Sequence, residues 1–200
     1  MNAPLTSASF AAMVDHTILA PTATRAEVGA TCSDAVRFAT ASVCVNPSWV
    51  GLVHSALADS PVLTCSVAGF PLGADQPEPV AATVRVAIEE GAEEIDVVLP
   101  VGRLIGDDLG FLDHYLGSVR TACGAATLKV IIESAVLTDK QIVTACERSV
   151  AAGADFVKTS TGFHASGGAS VEAVALMRST VGPKVGVKAS GGIRTLADVE

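Results

Sequence analysis

The segment Phe156-Val-Lys-Thr-Ser-Thr-Gly-Phe163 is a short apolar run that ends in a lysine and passes into a hydroxyl-rich turn. A similar segment, Val185-Gly-Val-Lys-Ala-Ser-Gly-Gly192, follows after enough residues for one α-helix. Each apolar run is typical of a buried strand whose lysine lies at the carboxyl end. The recurrence predicts two strands of one parallel sheet, with Lys158 and Lys188 at the same end of the sheet.

Two lysines at the ends of buried strands are hard to explain by folding alone. A desolvated ammonium group is costly, and the cost is relieved when the group loses its proton. A second ammonium nearby favours that loss, and a neutral lysine amine attacks a carbonyl carbon to form a Schiff base. A single lysine of this kind more often extends its charged end to solvent. The matching positions of Lys158 and Lys188 favour the Schiff-base interpretation.

The composition indicates one compact domain over residues 1–200, because half of the 200 residues are hydrophobic. The formal net charge of -8 argues against a nucleic-acid-binding surface, although it is compatible with a local basic pocket for a phosphate. Every apolar run is too short to span a bilayer, and the first ten residues lack the pattern of a signal peptide. We therefore expect neither nucleic acid nor membrane as a partner.

The cysteine and histidine patterns bound the chemistry further. Five cysteines without a C-x-x-C pair predict free thiols in a reducing, cytoplasmic location rather than a disulfide framework. Four histidines without H-E-x-x-H spacing predict neither a metal site nor another cofactor. We expect amino-acid side chains alone to supply the chemistry.

Glycine-alanine pairs that begin at Gly91, Gly124 and Gly153 each end a helical pattern and precede a run rich in Val and Ile. Such continuous apolar strands are typical of a parallel sheet that is buried on both faces. Seven strands are predicted, at residues 14–19, 41–45, 62–68, 94–99, 128–132, 156–158 and 185–188. Polar residues follow many of these strands rather than one crossing point, which favours a (β/α)8 TIM barrel over an open doubly wound sheet.

In a barrel, the carboxyl ends of the strands meet at one mouth, so residues distant in sequence come together there. Polar and small residues at these ends are the candidate site residues: Asp15, Thr17, Cys44, Asp96, Glu133, Lys158, Thr159, Thr161, Lys188, Ser190, Gly191 and Gly192.

Asp96 lies in an apolar strand that would not carry a carboxylate by chance. Two compatible hypotheses explain it: an ion pair with Lys129 on the next strand, and proton transfer to a substrate directly or through water. Glu133 shares a strand face with Lys129 and would either join this network or lie at the rim. Cys44 could react with an aldehyde, but a small buried apolar side chain is the favoured interpretation.

Gly191 and Gly192 offer exposed backbone N–H groups ahead of a helix predicted to begin near Leu196. Backbone N–H groups at a helix N-terminus bind phosphate, and in TIM barrels a phosphate site commonly follows the seventh strand. A glycine pair in isolation is more often a simple turn. Its position here favours a phosphate site.

With these residues in view, the sequence resembles the deoxyribose-phosphate aldolases, which are class I (Schiff-base) aldolases with a TIM-barrel fold. The matching segments are Val14-Asp-His-Thr-Ile-Leu19, Val43-Cys-Val-Asn-Pro47, Gly69-Phe-Pro-Leu-Gly73, Glu94-Ile-Asp-Val-Val98, Leu128-Lys-Val-Ile-Ile-Glu133, Lys158-Thr-Ser-Thr-Gly-Phe163 and Gly186-Val-Lys-Ala-Ser-Gly-Gly-Ile-Arg194. The pair of lysine-centred motifs is specific to that family, whereas each of the other motifs is weak by itself.

The resemblance implies reversible cleavage of 2-deoxy-D-ribose 5-phosphate to D-glyceraldehyde 3-phosphate and acetaldehyde, in the breakdown of deoxyribose. It implies a Schiff base on Lys158, a pKa of that lysine lowered by Lys188, and a proton relay through Asp96. It also implies that further residues bind the substrate, with the glycines at the phosphate: Cys44, Lys129, Thr159, Thr161, Gly191 and Gly192. Asp15, Thr17 and Ser190 join this set as polar groups at strand ends, and a homodimer is plausible.

The sequence departs from the family pattern at two places. Val80 and Thr83 stand near positions where the family usually carries Lys and Glu, in a helix expected on the outside. The sequence also stops before the family's eighth strand, its Gly-x-Ser phosphate loop and its last helix. Two alternatives therefore stay open: a non-catalytic remnant that binds a sugar phosphate or a partner, and a Schiff-base aldolase of another phosphorylated sugar.

Overall fold

A computed structural model describes residues 6–193, 195 and 198–199 of the chain. Seven parallel strands form one curled sheet in which each strand pairs with the next along the chain. The strands are β1 (Asp15–Ile18), β2 (Ser42–Val45), β3 (Leu63–Ala68), β4 (Glu94–Val98), β5 (Thr127–Ile131), β6 (Phe156–Lys158) and β7 (Gly186–Lys188). This order is that of a TIM barrel, and among the described residues β1 and β7 have a neighbouring strand on one side only.

Helices connect the strands as the sequence pattern predicts. They are α1 (Ser7–Ala11), α2 (Arg25–Phe38), α3 (Val50–Leu57), α4 (Pro77–Glu89), α5 (Val101–Ile105), α6 (Leu109–Cys123), α7 (Asp139–Ala151) and α8 (Val171–Val181), with 3-10 turns at Pro47–Trp49 and Ser134–Val136. Helix α5 is only five residues long and was not predicted from the sequence. The helix predicted to begin near Leu196 includes positions outside the described residues.

Local sequence signals fix where the longer helices begin. The side chains of Thr24 and Thr138 each accept a hydrogen bond from the backbone N–H three residues later. The side chains of Glu27 and Gln141 in turn accept the backbone N–H groups of these two threonines. These capping boxes satisfy N–H groups that have no partner within the helix. The glycines that precede β4, β5 and β6 all have positive φ, as a helix-ending glycine requires.

Two apolar layers hold the structure together. The larger layer lies between the sheet and its helices and includes Val28, Val84, Leu116 and Leu128, all fully buried. A smaller cluster, Leu19, Cys44, Cys65 and Val67 with Phe70 against it, lies apart from that layer. The strands bury side chains on both faces of the sheet, so each face needs its own set of packed groups. The outer face packs against the helices, and the inner face carries the small apolar cluster together with polar side chains. Among the described residues, we find no helix of the length and apolarity that crossing a bilayer requires.

Candidate active site

Strand register brings the predicted catalytic residues to the inner face of the sheet. Asp96 on β4 is the direct neighbour of Lys129 on β5, and Lys158 on β6 is the direct neighbour of Lys188 on β7. Residues paired in register on parallel strands project their side chains to the same face. The curvature of the sheet then closes the remaining distance between the two pairs.

The carboxylate of Asp96 is the centre of the site. Its Oδ2 atom accepts hydrogen bonds from Lys158 Nζ at 2.6 Å and from Lys188 Nζ at 2.9 Å. Its Oδ1 atom accepts a hydrogen bond from Lys129 Nζ at 3.0 Å. Asp96 is 0% exposed, and its single carboxylate contacts all three lysines. The predicted ion pair between Asp96 and Lys129 is present, and the two strand-end lysines share one pocket.

Two further carboxylates balance the charge of the lysines. Lys129 Nζ donates to Glu94 at 2.6 Å and to Asp15 at 3.1 Å. Lys188 Nζ also donates to Asp15, through the same Oδ2 atom. The cluster therefore contains three ammonium groups and three carboxylates, contributed by β1, β4, β5, β6 and β7. Such balance is what allows so many ionisable groups to be buried together.

The electrostatics of the cluster keep Asp96 and Asp15 ionised. Burial by itself would raise the pKa of Asp96, but Lys158, Lys129 and Lys188 outweigh it and hold that pKa well below its usual range. Burial would also raise the pKa of Asp15, but Lys129 and Lys188 outweigh that effect and lower it.

Two of the lysines keep their protons more firmly than a lysine in water. Burial would lower the pKa of Lys129, but the surrounding acidic groups, Cys65, Asp96, Asp15 and Glu94, raise it. Burial would also lower the pKa of Lys188, and there Asp96 and Asp15 raise it. Lys129 and Lys188 are thus fixed cations beside Lys158, which is 5% exposed.

Two members of this cluster, Glu94 and Cys65, were not predicted from the sequence. Glu94 lies two residues before Asp96 on β4, and the two-residue period of a strand places both on one face. That period was the signal that could have identified Glu94. Cys65 Sγ lies 3.4 Å from Asp96 Oδ1 and 3.5 Å from Lys129 Nζ, and no motif in the sequence marks it.

Thr17 and Cys44 occupy different positions at the mouth. Thr17 is exposed, and its hydroxyl donates to the backbone carbonyl of Asp15 at 2.8 Å. Cys44 is completely buried and is the in-register neighbour of Cys65. Burial among Leu19 and Val67 agrees with the interpretation of Cys44 as a small apolar side chain.

Ligand atoms of Cys44, Cys65 and Asp96 lie within 4.8 Å of one another, as do those of Asp15, Cys65 and Glu94. Both groups contain partners of the Lys129 ammonium, which contacts Cys65 and all three carboxylates. Lysine side chains of the protein already pair with these carboxylates, so the arrangement needs no metal ion for its charge balance.

The loops after β6 and β7 are joined by hydroxyl groups. Thr159 Oγ1 donates to the carbonyl of Ser190 at 3.1 Å and accepts from its N–H at 3.0 Å. Ser190 Oγ donates in turn to the carbonyl of Ser160 at 2.5 Å. Thr159 therefore joins the loop after β6 to the loop after β7, and both of its hydroxyl bonds are made to backbone atoms.

Glu133 lies in neither of the two predicted places. Its Oε1 atom accepts the backbone N–H of Thr161 at 2.5 Å, and the residue is 4% exposed. It therefore contacts the β6 loop rather than the lysine network, and it is buried rather than at the rim. A positive φ of 54° directs the chain after β5 towards that loop, which the two-residue period of a strand could not anticipate.

Both glycines of the pair after β7 adopt a backbone conformation that favours glycine. Gly191 and Gly192 have φ values of 79° and 85°, which side chains with a Cβ rarely adopt. Ala169 N–H donates to the carbonyls of Ser190 and Gly191 at 3.0 and 3.1 Å. A Cβ atom on Gly168 would overlap the carbonyl of Gly191, so glycine is required for this close approach of two loops.

Residues 9–199 match the family model described as "DeoC/LacD family aldolase". The chain belongs to this family. A Lysinibacillus sphaericus protein named deoxyribose-phosphate aldolase is 50% identical over 193 residues, which cover 96% of this chain and 86% of that protein. A Streptococcus gordonii protein of the same name is 51% identical over 187 residues, covering 94% and 84%. The resemblance inferred from the sequence motifs is thereby confirmed.

Solved structures from the aldolase family give the same result. The chain matches a Coccidioides immitis protein assigned as a deoxyribose-phosphate aldolase with a TM-score of 0.94 and 36% identity, over 100% of this chain and 79% of that one. It matches the tetrameric deoxyribose phosphate aldolase of Aeropyrum pernix with a TM-score of 0.88 and 32% identity, over 96% and 82%. The TIM-barrel fold predicted from the sequence is confirmed.

Proposed function

We propose that this aldolase cleaves 2-deoxy-D-ribose 5-phosphate to D-glyceraldehyde 3-phosphate and acetaldehyde through a Schiff base on Lys158. The contact that carries the proposal is the 2.6 Å hydrogen bond from Lys158 Nζ to the buried carboxylate of Asp96, beside the ammonium of Lys188. A family relative that is 50% identical bears the name of this activity. Lys158, Lys188 and Asp96 are accordingly the proposed catalytic residues.

The reaction begins at the open-chain aldehyde of the sugar. The neutral amine of Lys158 attacks C1 to give a carbinolamine, whose hydroxyl takes up a proton and leaves as water to give a protonated imine. A base removes the proton of the C3 hydroxyl, the C2–C3 bond breaks, and glyceraldehyde 3-phosphate leaves. The electron pair of that bond forms an enamine, which takes a proton at C2. Water then hydrolyses the imine, releasing acetaldehyde and the lysine amine.

Asp96 suits the proton transfers in this sequence. Its carboxylate receives the ammonium proton when Lys158 becomes an amine, directly or through water, and the fixed cations Lys129 and Lys188 keep it ionised otherwise. Lys188 also stabilises oxygen anions that develop at the carbinolamine, because its ammonium lies on the same carboxylate oxygen as Lys158.

The remaining predicted residues line the substrate channel in this proposal. Asp15 and Thr17 provide polar groups on β1, and Cys44 provides part of the apolar wall. The backbone after β7 binds the phosphate, with Gly191 and Gly192 presenting N–H groups at positive φ and Ser190 anchoring the loop. Thr159 and Thr161 act by fixing the neighbouring loop.

Product analysis tests the function directly. The purified chain is expected to release acetaldehyde and glyceraldehyde 3-phosphate in equal amounts from 2-deoxy-D-ribose 5-phosphate. A panel of other phosphorylated sugars compared by kcat/KM tests the alternative of a different substrate. Saturable binding of the sugar phosphate without any product would instead support the non-catalytic alternative.

The phosphate-binding role of the β7 loop leads to a separate prediction. Gly168→Ala is expected to raise KM for 2-deoxy-D-ribose 5-phosphate about tenfold, equivalent to about 1.4 kcal/mol, because the added Cβ displaces Gly191. Cleavage of unphosphorylated 2-deoxy-D-ribose should change little. Gly110→Ala is the control, because a Cβ there meets no atom within 4 Å. Equal losses for both sugars would contradict the phosphate role.

The expectations on assembly, location and cofactors stay predictions. We propose a homodimer as the assembly, and the tetrameric relative from Aeropyrum pernix supports self-association in this family. The native mass in solution tests it. The free cysteines Cys32, Cys44, Cys65, Cys123 and Cys146 are compatible with the proposed cytoplasmic location. Full activity after treatment with a chelator is the expected result for an aldolase without a metal or another cofactor.

A further inference from the structure

Of the three carboxylates described in the cluster, Glu94 is the one that pairs with Lys129 but with neither Lys158 nor Lys188. It is 8% exposed, and its Oε2 atom accepts a hydrogen bond from Lys129 Nζ at 2.6 Å, the shortest bond that Lys129 makes. It begins β4, two residues before Asp96, and therefore lies deeper than the carboxyl ends of the strands. Glu94 has no place in the mechanism proposed above.

The position of Glu94 matters because of the charge count. The groups around Lys129 are Asp15 from β1, Cys65 from β3, and Glu94 and Asp96 from β4. Asp96 in turn contacts Lys158 from β6 and Lys188 from β7. Cys44 on β2 is the in-register neighbour of Cys65. With three ammonium groups and three carboxylates, the cluster is neutral as long as Lys158 keeps its proton.

We propose that Glu94 is a positioning residue that acts through Lys129 and sets the charge balance against which Lys158 gives up its proton. The inference rests on the proposed Schiff-base function. When the proton of Lys158 has passed through Asp96 to solvent and Asp96 is ionised again, the cluster changes from neutral to a net charge of minus one. Glu94 therefore tunes the pH at which the enzyme begins to react, although it contacts neither the substrate nor Lys158.

The proposal predicts how substitutions move the acidic limb of the pH profile, which is the pH range in which the rate of Schiff-base formation at Lys158 rises. Glu94→Gln removes one negative charge, so loss of the Lys158 proton leaves a neutral cluster, and the limb moves to lower pH. The expected shift is about one pH unit, for a unit charge roughly 10 Å away at an effective dielectric constant of about 20. In the double variant E94Q/K129M, one charge of each sign is removed, and the limb returns to or above its original pH.

Reductive trapping at Lys158 is the measurement. Acetaldehyde and cyanoborohydride are added across a pH series, and the rate of N-ethylation of Lys158 is followed by peptide mass spectrometry. The variants are Glu94→Gln, E94Q/K129M and Glu94→Asp, which keeps the charge and should keep the limb in place even if the protein becomes less stable. Glu147→Gln is the matched control, because Glu147 is exposed on α7 and its charge is far more strongly screened.

The outcomes separate this inference from the proposed function. Absence of trapping at Lys158 in the unmodified chain would refute the Schiff-base function itself. Trapping in the unmodified chain with a limb that Glu94→Gln leaves in place, or moves to higher pH, would overturn the role of Glu94 alone. A purely structural Glu94 would lower the melting temperature of the Glu94→Gln variant without moving its limb.

Discussion

Replacing Lys158 by alanine is expected to abolish trapping of acetaldehyde by borohydride. The same substitution should lower kcat/KM for 2-deoxy-D-ribose 5-phosphate by at least about 10⁴-fold, because it removes the amine that forms the covalent intermediate. Lys129 and Lys188 cannot replace it, since the acidic groups around both raise their pKa and keep them protonated. The measurement is the mass of the trapped peptide together with steady-state kinetics.

A matched substitution controls for the loss of a lysine as such. Lys140 is exposed on α7, far from the strand-end lysines in sequence, and Lys140→Ala should trap acetaldehyde at the normal rate. An adduct on Lys188 or Lys129 in the unmodified chain would remove the proposed mechanism. The Lys158→Ala protein should remain folded, because Asp96 keeps its bonds to the other two lysines.

Asp96→Asn is expected to have the largest effect on stability and a large effect on the rate. An amide keeps the shape but leaves the buried Lys129 and Lys158 and the partly exposed Lys188 without their shared anion. Loss of one partner of a buried ion pair typically costs about 3–5 kcal/mol. Loss of the proton relay should lower kcat by about 10²- to 10⁴-fold. Urea unfolding at pH 7 and steady-state kinetics measure the two effects.

The same substitution should change how stability depends on pH. Because the pKa of Asp96 is lower in the folded protein, its ionised form stabilises the fold above the ordinary value of 3.8 and loses that contribution as the pH falls through the folded value. The raised pKa of Lys188 works in the opposite sense, with stabilisation present below 10.5 and lost as the pH rises through its folded value. Asp96→Asn should therefore flatten the loss of stability in acid.

Asp113→Asn provides the comparison for this experiment. Asp113 pairs with Arg148 at 3.0 Å on the surface, where an ion pair contributes at most about 1 kcal/mol. Unfolding free energies that are equal for the two variants would show that the buried carboxylate is not the centre of the cluster. A kcat for Asp96→Asn close to that of the unmodified chain would contradict the proton relay.

Much of the fold could be predicted from the sequence because it depends on local rules. Runs rich in Leu, Val and Ile such as β5 predict buried parallel strands, and a glycine such as Gly153 predicts the end of the helix before one. Thr24 and Thr138 identify the start of a helix through hydrogen bonds that reach only three residues. The lysines at the ends of β6 and β7 followed from the same logic, since a strand ends where its apolar run ends.

The sequence by itself determined the order of strands and helices, and which residues stand at the carboxyl ends of the strands. Only the tertiary structure decided that Asp15 and Lys188, which are 173 residues apart, contact one another, and that Glu94 rather than Glu133 joins the lysines. The physical reason is that charge balance depends on distance through space, and strand register and sheet curvature set that distance. The two-residue period of a strand predicts which face a side chain lies on, but it does not predict how many charged groups from other strands contact that side chain.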